Sequence, residues 1–330
     1  MAARLIELHR HIEGSIRLAT IHDLGQKHHI AGVPEGIDEL RRTIEITKCV
    51  GSLPEFLKRL EICRLAYVDL DACRRVAKEC VIDAAHEDIG YAELRFSPSF
   101  MAAPHRLPMD GVIEAVCCGV QEGIVATGIQ VNLIGILDRS YGIRHANEEL
   151  DVILRHQNSF VGVDLAGDEA RYPPERFISH FKRVRKESSL RITVHAGEAL
   201  GPASIWAAID KLGAHRIGHA VRAIEDSDLV EELRKRPIGI EACLTSNLHT
   251  GAVESYQRHP IGRYLAAGVQ VAIGTDDPTV SGVTLAHERT VAAKLAGLTL
   301  DQVRKTQEHA LSMAFVSEPT RAKLAIILGC

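Results

Sequence analysis

The stretch at residues 192–198 reads Ile-Thr-Val-His-Ala-Gly-Glu, a β-branched run that ends at His195 and is followed by Glu198. Such a run predicts a buried strand, and the glycine after it predicts a tight turn. The first strand-like run of the chain similarly ends in His9-Arg10-His11, and the last ends in Thr275-Asp276-Asp277-Pro278. Histidines and carboxylates at the ends of several strands indicate a hydrolytic metal site on an α/β fold.

Strand-like runs alternate with helical patterns along the whole chain. They lie at residues 5–9, 91–97, 130–137, 160–165, 191–195, 216–219, 238–244 and 269–275. Eight parallel strands with helices between them close a barrel, so we predict the α/β class and a single (β/α)8 TIM barrel domain over residues 1–330. A doubly wound sheet is the competing architecture. It requires a glycine-rich turn after its first strand, where this chain has His-Arg-His-Ile-Glu-Gly.

Residues 15–85 separate the first predicted strand from the second, which is a longer interval than those between later strands. Apolar residues recur there with helical periodicity, and no Gly/Ser-rich linker interrupts them. We therefore predict a helical insertion between strands 1 and 2. It would lie on the rim of the barrel, where loops build active sites and lids.

The composition limits the classes of partner. Of the 330 residues, 46% are hydrophobic and 25% are charged, which is typical of a globular protein with a large core. The formal net charge of −4 disfavours a nucleic acid or an anionic membrane as partner, because both require a basic surface. The chain has neither a signal-like start nor a run of membrane-spanning length, so we predict a cytoplasmic location. The oligomeric state is not predicted.

Eight cysteines occur without a C-x-x-C pair or regular spacing. In a long chain without a secretory signal, we expect reduced thiols and no disulfide framework. The missing C-x-x-C also excludes the cysteine-ligated zinc site that is typical of cytidine deaminases.

The candidate ligands indicate a metal site more strongly as a group than singly. His9 and His11 are two residues apart, so a strand would direct both side chains to one face. Taken singly, His195 could be a core residue, and Asp276 could lie in the cap of the following helix. Together, three imidazole nitrogens and one carboxylate oxygen, with a position left for water, suit a catalytic Zn²⁺. Glu198 lies three residues past a ligand, where it could act as a general acid–base.

With these residues the chain resembles the adenosine deaminase family of metal-dependent amidohydrolases. The resemblance extends over nearly the whole chain, and its motifs occur in the family's order. They are Glu-Leu-His-Arg-His-Ile-Glu-Gly-Ser at 7–15, Tyr-Ala-Glu-Leu-Arg-Phe-Ser-Pro at 91–98, Asp-Leu-Ala-Gly-Asp-Glu at 164–169, Val-His-Ala-Gly-Glu at 194–198, Arg-Ile-Gly-His at 216–219, Cys-Leu-Thr-Ser-Asn at 243–247 and Thr-Asp-Asp-Pro at 275–278.

The resemblance implies roles for particular residues. It implies one Zn²⁺ per chain, with Glu198 as the proton shuttle and His219 as the group that orients the attacking hydroxide. The implied metal ligands are His9, His11, His195 and Asp276. The implied substrate contacts are Asp277 to the purine N7, the Gly167 backbone to N3, and Glu13 and His11 toward the nucleoside, under an apolar lid of Leu53, Phe56 and Leu57.

The reaction that the resemblance implies is the hydrolytic deamination of adenosine and 2′-deoxyadenosine to inosine and 2′-deoxyinosine plus ammonia, a step of purine salvage. A deaminase of adenine or of a modified 6-aminopurine nucleoside is the alternative enzyme, and a catalytically silent nucleoside-binding protein is an alternative of another class. Two positions depart from the family pattern. Glu13 replaces a frequent Asp near the sugar, and Ala220 replaces a usual Gly, which we expect to crowd the mouth of the pocket.

Overall fold

Parallel strands, each hydrogen-bonded to the next in chain order, form the centre of the fold in the computed structural model, which describes residues 4–329. The eight strands within these residues are β1 (Leu5–His11), β2 (Ile89–Phe96), β3 (Gln130–Asp138), β4 (Gly162–Ala166), β5 (Arg191–Ala196), β6 (Arg216–His219), β7 (Gly239–Ala242) and β8 (Val271–Ile273). The predicted TIM barrel is confirmed. The predicted strand ends were wrong in places, because β1 continues through His11 whereas Leu244 begins a helix and Thr275 lies in a loop.

The two ends of the sheet meet through the backbone of Asp276. Its N–H donates to the carbonyl of His9 at 2.8 Å, and its carbonyl accepts from the N–H of His11 at 2.9 Å. The bond pattern that closes the barrel therefore also fixes the position of Asp276 between the two histidines of β1.

Helices surround the sheet and occupy the interval between β1 and β2. They are α1 (Leu18–His28), α2 (Ile37–Ile44), α3 (Leu53–Cys63), α4 (Leu70–His86), α5 (Pro98–Ala102), α6 (Met109–Thr127), α7 (Ile143–Arg155), α8 (Ile178–Glu187), α9 (Pro202–Ala207), α10 (Ser227–Lys235), α11 (Leu244–His249), α12 (Ile261–Ala266), α13 (Pro278–Ser281), α14 (Leu285–Lys294), α15 (Leu300–Met313) and α16 (Glu318–Leu328). Residues 15–85, the predicted helical insertion, contain α1–α3 and all but the last residue of α4. Ser52 caps α3 by accepting from the N–H of Glu55, as expected for a serine before a helix.

The axis of the barrel is filled by charged side chains, whereas the apolar core lies between the sheet and the helices. Arg95 pairs with Asp164 at 2.8 Å and with Glu241 at 2.7 Å. Arg216 pairs with Glu93 and Glu241, both at 2.6 Å. We call these five buried residues the axial network. Burying so many charges is costly unless each is paired, so their pairing constrains the strands to one arrangement.

Two features of residues 4–329 concern the environment of the protein. The cysteines among them are all free, and Cys330 lies outside the described residues. No helix among them is long and apolar enough to cross a bilayer.

Candidate metal and substrate site

The four predicted metal ligands converge at the carboxyl ends of the strands. One ligand atom from each of His9, His11, His195 and Asp276 lies within 4.8 Å of the others. The Nε2 atom of His11 is 3.3 Å from Nε2 of His195 and 3.3 Å from Oδ1 of Asp276. Nε2 of His9 is 3.2 Å from the same Oδ1. The structure thus brings together residues that are up to 267 positions apart in the chain, between His9 and Asp276.

Carboxylates behind two of the histidines fix the direction of their rings. Nδ1 of His9 is 2.7 Å from Oε2 of Glu241, and Nδ1 of His195 is 3.0 Å from Oδ2 of Asp164. A carboxylate partner holds the proton on Nδ1 and leaves Nε2 with a free lone pair. Nε2 of His9 makes no hydrogen bond to any residue within 4–329. Convergent lone pairs of this kind fit a divalent metal ion.

A single guanidinium group supports both of these carboxylates. Nη1 of Arg95 donates to Asp164, and Nη2 donates to Glu241. Burial alone would raise the pKa of Glu241, but Arg95 and Arg216 hold that pKa well below its usual range. Glu241 is therefore ionised and accepts the Nδ1 proton of His9. Arg95 consequently links the orientations of two candidate ligands, His9 and His195.

Space beside the rings depends on Gly218, which lies opposite His195 in the pairing of β5 with β6. A Cβ atom at this position would come 3.0 Å from Cε1 of His9 and 3.3 Å from Cγ of His195. The absence of a side chain at Gly218 therefore leaves room for the rings of His9 and His195.

Three non-glycine residues at or next to the site have left-handed backbone. His219 and Asp276 have φ values of 65° and 64°, a left-handed conformation that costs non-glycine residues about 1–2 kcal/mol. Ala220 follows with φ 50°. It is fully buried and does not line the cavity, so the expected crowding of the mouth by its methyl group was wrong. Strain of this kind persists where surrounding contacts enforce it; here the Oγ of Ser246 donates to Oδ2 of Asp276 at 2.6 Å.

Glu198 and His219 face each other across the cavity floor. Oε2 of Glu198 is 3.6 Å from Nε2 of His219. The other carboxyl oxygen of Glu198 is buried and has no partner among residues 4–329. Burial raises the pKa of Glu198 to about 8 and lowers the pKa of His219 well below its usual range. A protonated carboxyl beside a neutral imidazole is suited to proton transfer near neutral pH.

The turn that carries Glu198 is held by the buried carboxylate of Glu169. This carboxylate accepts hydrogen bonds from the backbone N–H of Gly197 (2.7 Å), Glu198 (3.1 Å), Ala199 (2.6 Å) and Leu200 (3.1 Å), and from Oγ of Ser204 (2.5 Å). Glu169 thus fixes the backbone from which the Glu198 side chain reaches the cavity.

The Glu169→Gln variant is expected to lose stability and activity together. In either orientation of the glutamine amide, its nitrogen would face backbone N–H groups that now donate to Glu169. Those buried donors would lose their acceptor, and we expect the free energy of unfolding to fall by about 1.5–3 kcal/mol. Urea unfolding measures that loss, and kcat should fall more than KM rises because Glu198 is displaced. Glu175→Gln, at an exposed position, is the matched control. A Glu169→Gln variant as stable and as active as that control would contradict the assignment.

A cavity of about 280 Å³ opens above the metal ligands. Its wall includes every predicted catalytic and substrate-binding residue, together with the lid residues of α3. These are His11, Glu13, Gly167, Glu198, His219 and Asp277, with Leu53, Phe56 and Leu57. His9 lies beneath the floor and does not line the cavity.

Two further carboxyl groups that line this cavity each have one oxygen without a hydrogen-bond partner among residues 4–329. At one end, Glu13 accepts from the N–H of Ser97 at 2.5 Å, while its Oε2 is buried without a partner within residues 4–329. Burial raises the pKa of Glu13 to about 8. At the other, Oδ1 of Asp277 is likewise unpartnered in that range. Burial and the adjacent Asp276 hold the pKa of Asp277 well above its usual range. These oxygens are suited to bind the polar edges of a ligand.

The cavity mouth is covered by α3, which is tied down at its C-terminal end. Nη1 of Arg64 donates to Oη of Tyr141 at 2.6 Å, across to the loop that follows β3. The guanidinium also lies 5.4 Å from the ring centroid of Phe100. Leu53 and Phe56 of α3 are buried, so an apolar surface closes over the polar floor.

Comparison with known proteins gives consistent matches over almost the whole chain. A family model described as adenosine deaminase matches residues 5–327. The adenosine deaminase of Aliivibrio fischeri strain MJ11 is 49% identical over 320 residues, covering 97% of this chain and 96% of that protein. The solved adenine deaminase of Arthrobacter aurescens has a TM-score of 0.92 at 25% identity, covering 99% and 98% of the two chains. The N6-methyl-AMP deaminase of Arabidopsis thaliana has a TM-score of 0.84 at 27% identity, covering 99% and 96%.

Proposed function

This chain belongs to the adenosine deaminase family, and from that premise we propose that it deaminates adenosine and 2′-deoxyadenosine hydrolytically with one bound Zn²⁺. The observation that carries the proposal is one cavity that contains both an unpartnered carboxyl oxygen, on Glu198, and a convergent set of metal ligands. We further propose that residues 1–330 form a single domain around this site.

His9, His11, His195 and Asp276 would hold the ion. Three imidazole nitrogens and one carboxylate oxygen are a donor set that zinc accepts, and they leave a coordination position for water or substrate. When bound, the ion supplies Lewis-acid activation of water near neutral pH. The protein residues would orient the substrate and transfer protons.

Glu198 is proposed to act as the general acid–base. Carbon 6 of adenine is a poor electrophile until N1 gains a proton. Because burial keeps Glu198 protonated near neutral pH, its free oxygen can deliver that proton to N1. Addition of water at carbon 6 and loss of the amino group then release ammonia and leave inosine. Glu198 can accept the proton that the water gives up and pass it to the departing amino group, which then leaves as ammonia.

His219 and Asp277 are proposed to orient the reactants. His219 lies beside Glu198 and would hold the attacking water against carbon 6. Asp277, which lines the cavity, would bind the purine N7 through its carboxyl group. Gly167 would meet N3 with its backbone; its φ of 102° and the close Oγ of Ser140, 2.4 Å from where a Cβ would lie, both require glycine at this position.

The sugar end of the cavity favours a nucleoside. Glu13 offers a buried carboxyl group that can bond a ribose hydroxyl, which free adenine lacks, and His11 lies beside it. Asp138 also lines this end, and Glu149 lies behind it, accepting from the backbone N–H of Asp138 at 2.8 Å. Acidic side chains do not pair with a 5′-phosphate as a cation would, so a nucleotide such as N6-methyl-AMP is disfavoured.

Relative kcat/KM values for adenosine, 2′-deoxyadenosine, adenine and AMP test this proposal. We expect the two nucleosides to exceed adenine and AMP by at least about 100-fold, because buried polar groups left without a partner discriminate strongly. Repeating the series with Glu13→Gln should reduce the preference for nucleosides and leave the low rate with adenine unchanged. A higher kcat/KM for adenine or AMP than for adenosine would contradict the proposal.

A further inference from the structure

A continuous row of hydrogen bonds connects His219 to the backbone at the start of α12. The N–H of Ile261 donates to Nδ1 of His259 at 3.2 Å. Nε2 of His259 is 3.1 Å from Oδ1 of Asn247. Nδ2 of Asn247 is 3.0 Å from Nδ1 of His219. Every side chain in this row is at least nine-tenths buried.

The direction of each bond follows from the first one. A backbone N–H can only donate, so Nδ1 of His259 is an acceptor and its single ring hydrogen is on Nε2. Burial lowers the pKa of His259 to about 3, which keeps this ring neutral. Nε2–H then donates to the carbonyl oxygen of Asn247, and the amide group of Asn247 is left to donate to His219. Nδ1 of His219 is consequently an acceptor.

We propose that Asn247 and His259 are positioning residues that hold His219 as the tautomer with its hydrogen on Nε2. That hydrogen faces Glu198 and the reacting atoms, since Nε2 lies 3.6 Å from the Glu198 carboxyl. The inference rests on the proposed function in one respect, namely that His219 contacts the attacking water. A ring held in this way donates a hydrogen bond to the water and cannot accept its proton. Glu198 is then the group that takes the proton.

The Asn247→Asp variant tests the direction of the row. An ionised aspartate of the same size accepts hydrogen bonds on both sides, so it would draw the His219 hydrogen onto Nδ1. We expect kcat for adenosine to fall by about 100-fold or more, as when a catalytic imidazole is held in the wrong tautomer. KM and the bound metal content should stay within about threefold of wild type, because binding groups are untouched.

Nitrogen NMR of histidine-labelled, metal-loaded protein provides a readout that is independent of activity. In the wild type, Nδ1 of His219 should resonate as an unprotonated nitrogen and Nε2 as a protonated one; His219→Gln assigns the signals by their loss. In Asn247→Asp, Nδ1 should become protonated. A wild-type ring with hydrogen on Nδ1, or an unchanged pattern in Asn247→Asp, would overturn the inference. Such a result would leave the Glu198 and substrate experiments, and so the proposed function, unaffected.

Paired substitutions at His259 separate positioning from packing. In His259→Gln, the side-chain amide nitrogen can replace Nε2 as a hydrogen-bond donor to Asn247. In His259→Leu, the side chain fills a similar space but cannot donate. We expect His259→Gln to retain kcat within about threefold and His259→Leu to lose about tenfold or more, the usual scale for an outer hydrogen-bond partner. Equal losses of kcat in the two variants would contradict a positioning role.

Discussion

Replacement of Glu198 by Gln is expected to lower kcat for adenosine by about 10²- to 10⁴-fold or more, while the metal stays bound. The physical reason is that the variant loses the carboxyl group that we propose both gives a proton to N1 and accepts one from water. The amide is close in size to the carboxyl, and Glu198 is not among the metal ligands. The experiment compares kcat, KM and metal content per chain.

A surface variant controls for charge alone. Glu254→Gln removes one carboxylate whose side chain is 78% exposed, and it should behave as wild type. If Glu198→Gln retained nearly full kcat with metal bound, the proton would have to travel by another group. The assignment of Glu198 as the general acid–base would then be wrong.

Arg95→Met is expected to lower the unfolding free energy by about 3–5 kcal/mol, the scale for removing one partner of a buried ion pair. Methionine leaves Asp164 and Glu241 buried near each other without their shared cation. Because these carboxylates orient His195 and His9, metal affinity should also fall by about 10- to 100-fold. Urea unfolding of the metal-free protein measures the first effect, and competition with a chelator measures the second.

The matched control removes an exposed arginine. Arg74 pairs with Glu122 on the surface, where an ion pair contributes little, so Arg74→Met should change neither quantity. Arg95→Lys should recover only part of the loss, since a single ammonium cannot reproduce the fork that binds both carboxylates. Wild-type stability and metal affinity in Arg95→Met would contradict the role given to this arginine.

The barrel was predictable because its strands are short apolar runs bounded by turn residues, and all eight were found. Their ends were less accurate. The first predicted strand was bounded at residues 5–9, but pairing with β2 and the closing bridge to Asp276 extend β1 through His11. Apolar residues 243 and 244 continue the seventh run, although Leu244 begins α11. Such ends depend on contacts between distant segments, which local patterns do not contain.

Candidate ligands were found because histidine and aspartate at strand ends are conspicuous against apolar strands. The axial network was missed because Glu93 and Arg95 alternate with apolar residues, a pattern that equally predicts an outward polar face. Closure of the barrel decides that this face is the interior. Glu7 also lies on an interior face of β1: it accepts from the N–H of His9 at 2.9 Å and from Oγ1 of Thr275 at 2.9 Å, and so joins β1 to the segment after β8.

The sequence patterns could not identify the positioning residues, for a different reason. Asn247 lies in a motif that the resemblance included, yet its role depends on His259, twelve residues away across a loop. Glu169 similarly acts on a turn about thirty residues further along the chain. A hydrogen-bond partner across such an interval becomes visible only when the loops at the barrel mouth are folded.

The first experiment should measure ultraviolet turnover of adenosine by the purified protein, before and after chelation and after zinc is added back. We predict conversion to inosine that is lost with the metal and restored when Zn²⁺ is added back to about one ion per chain. His11→Ala, which lacks one ligand, should not be restored at the same zinc concentration. Turnover that survives complete removal of the metal, or no turnover with zinc bound, would contradict the account.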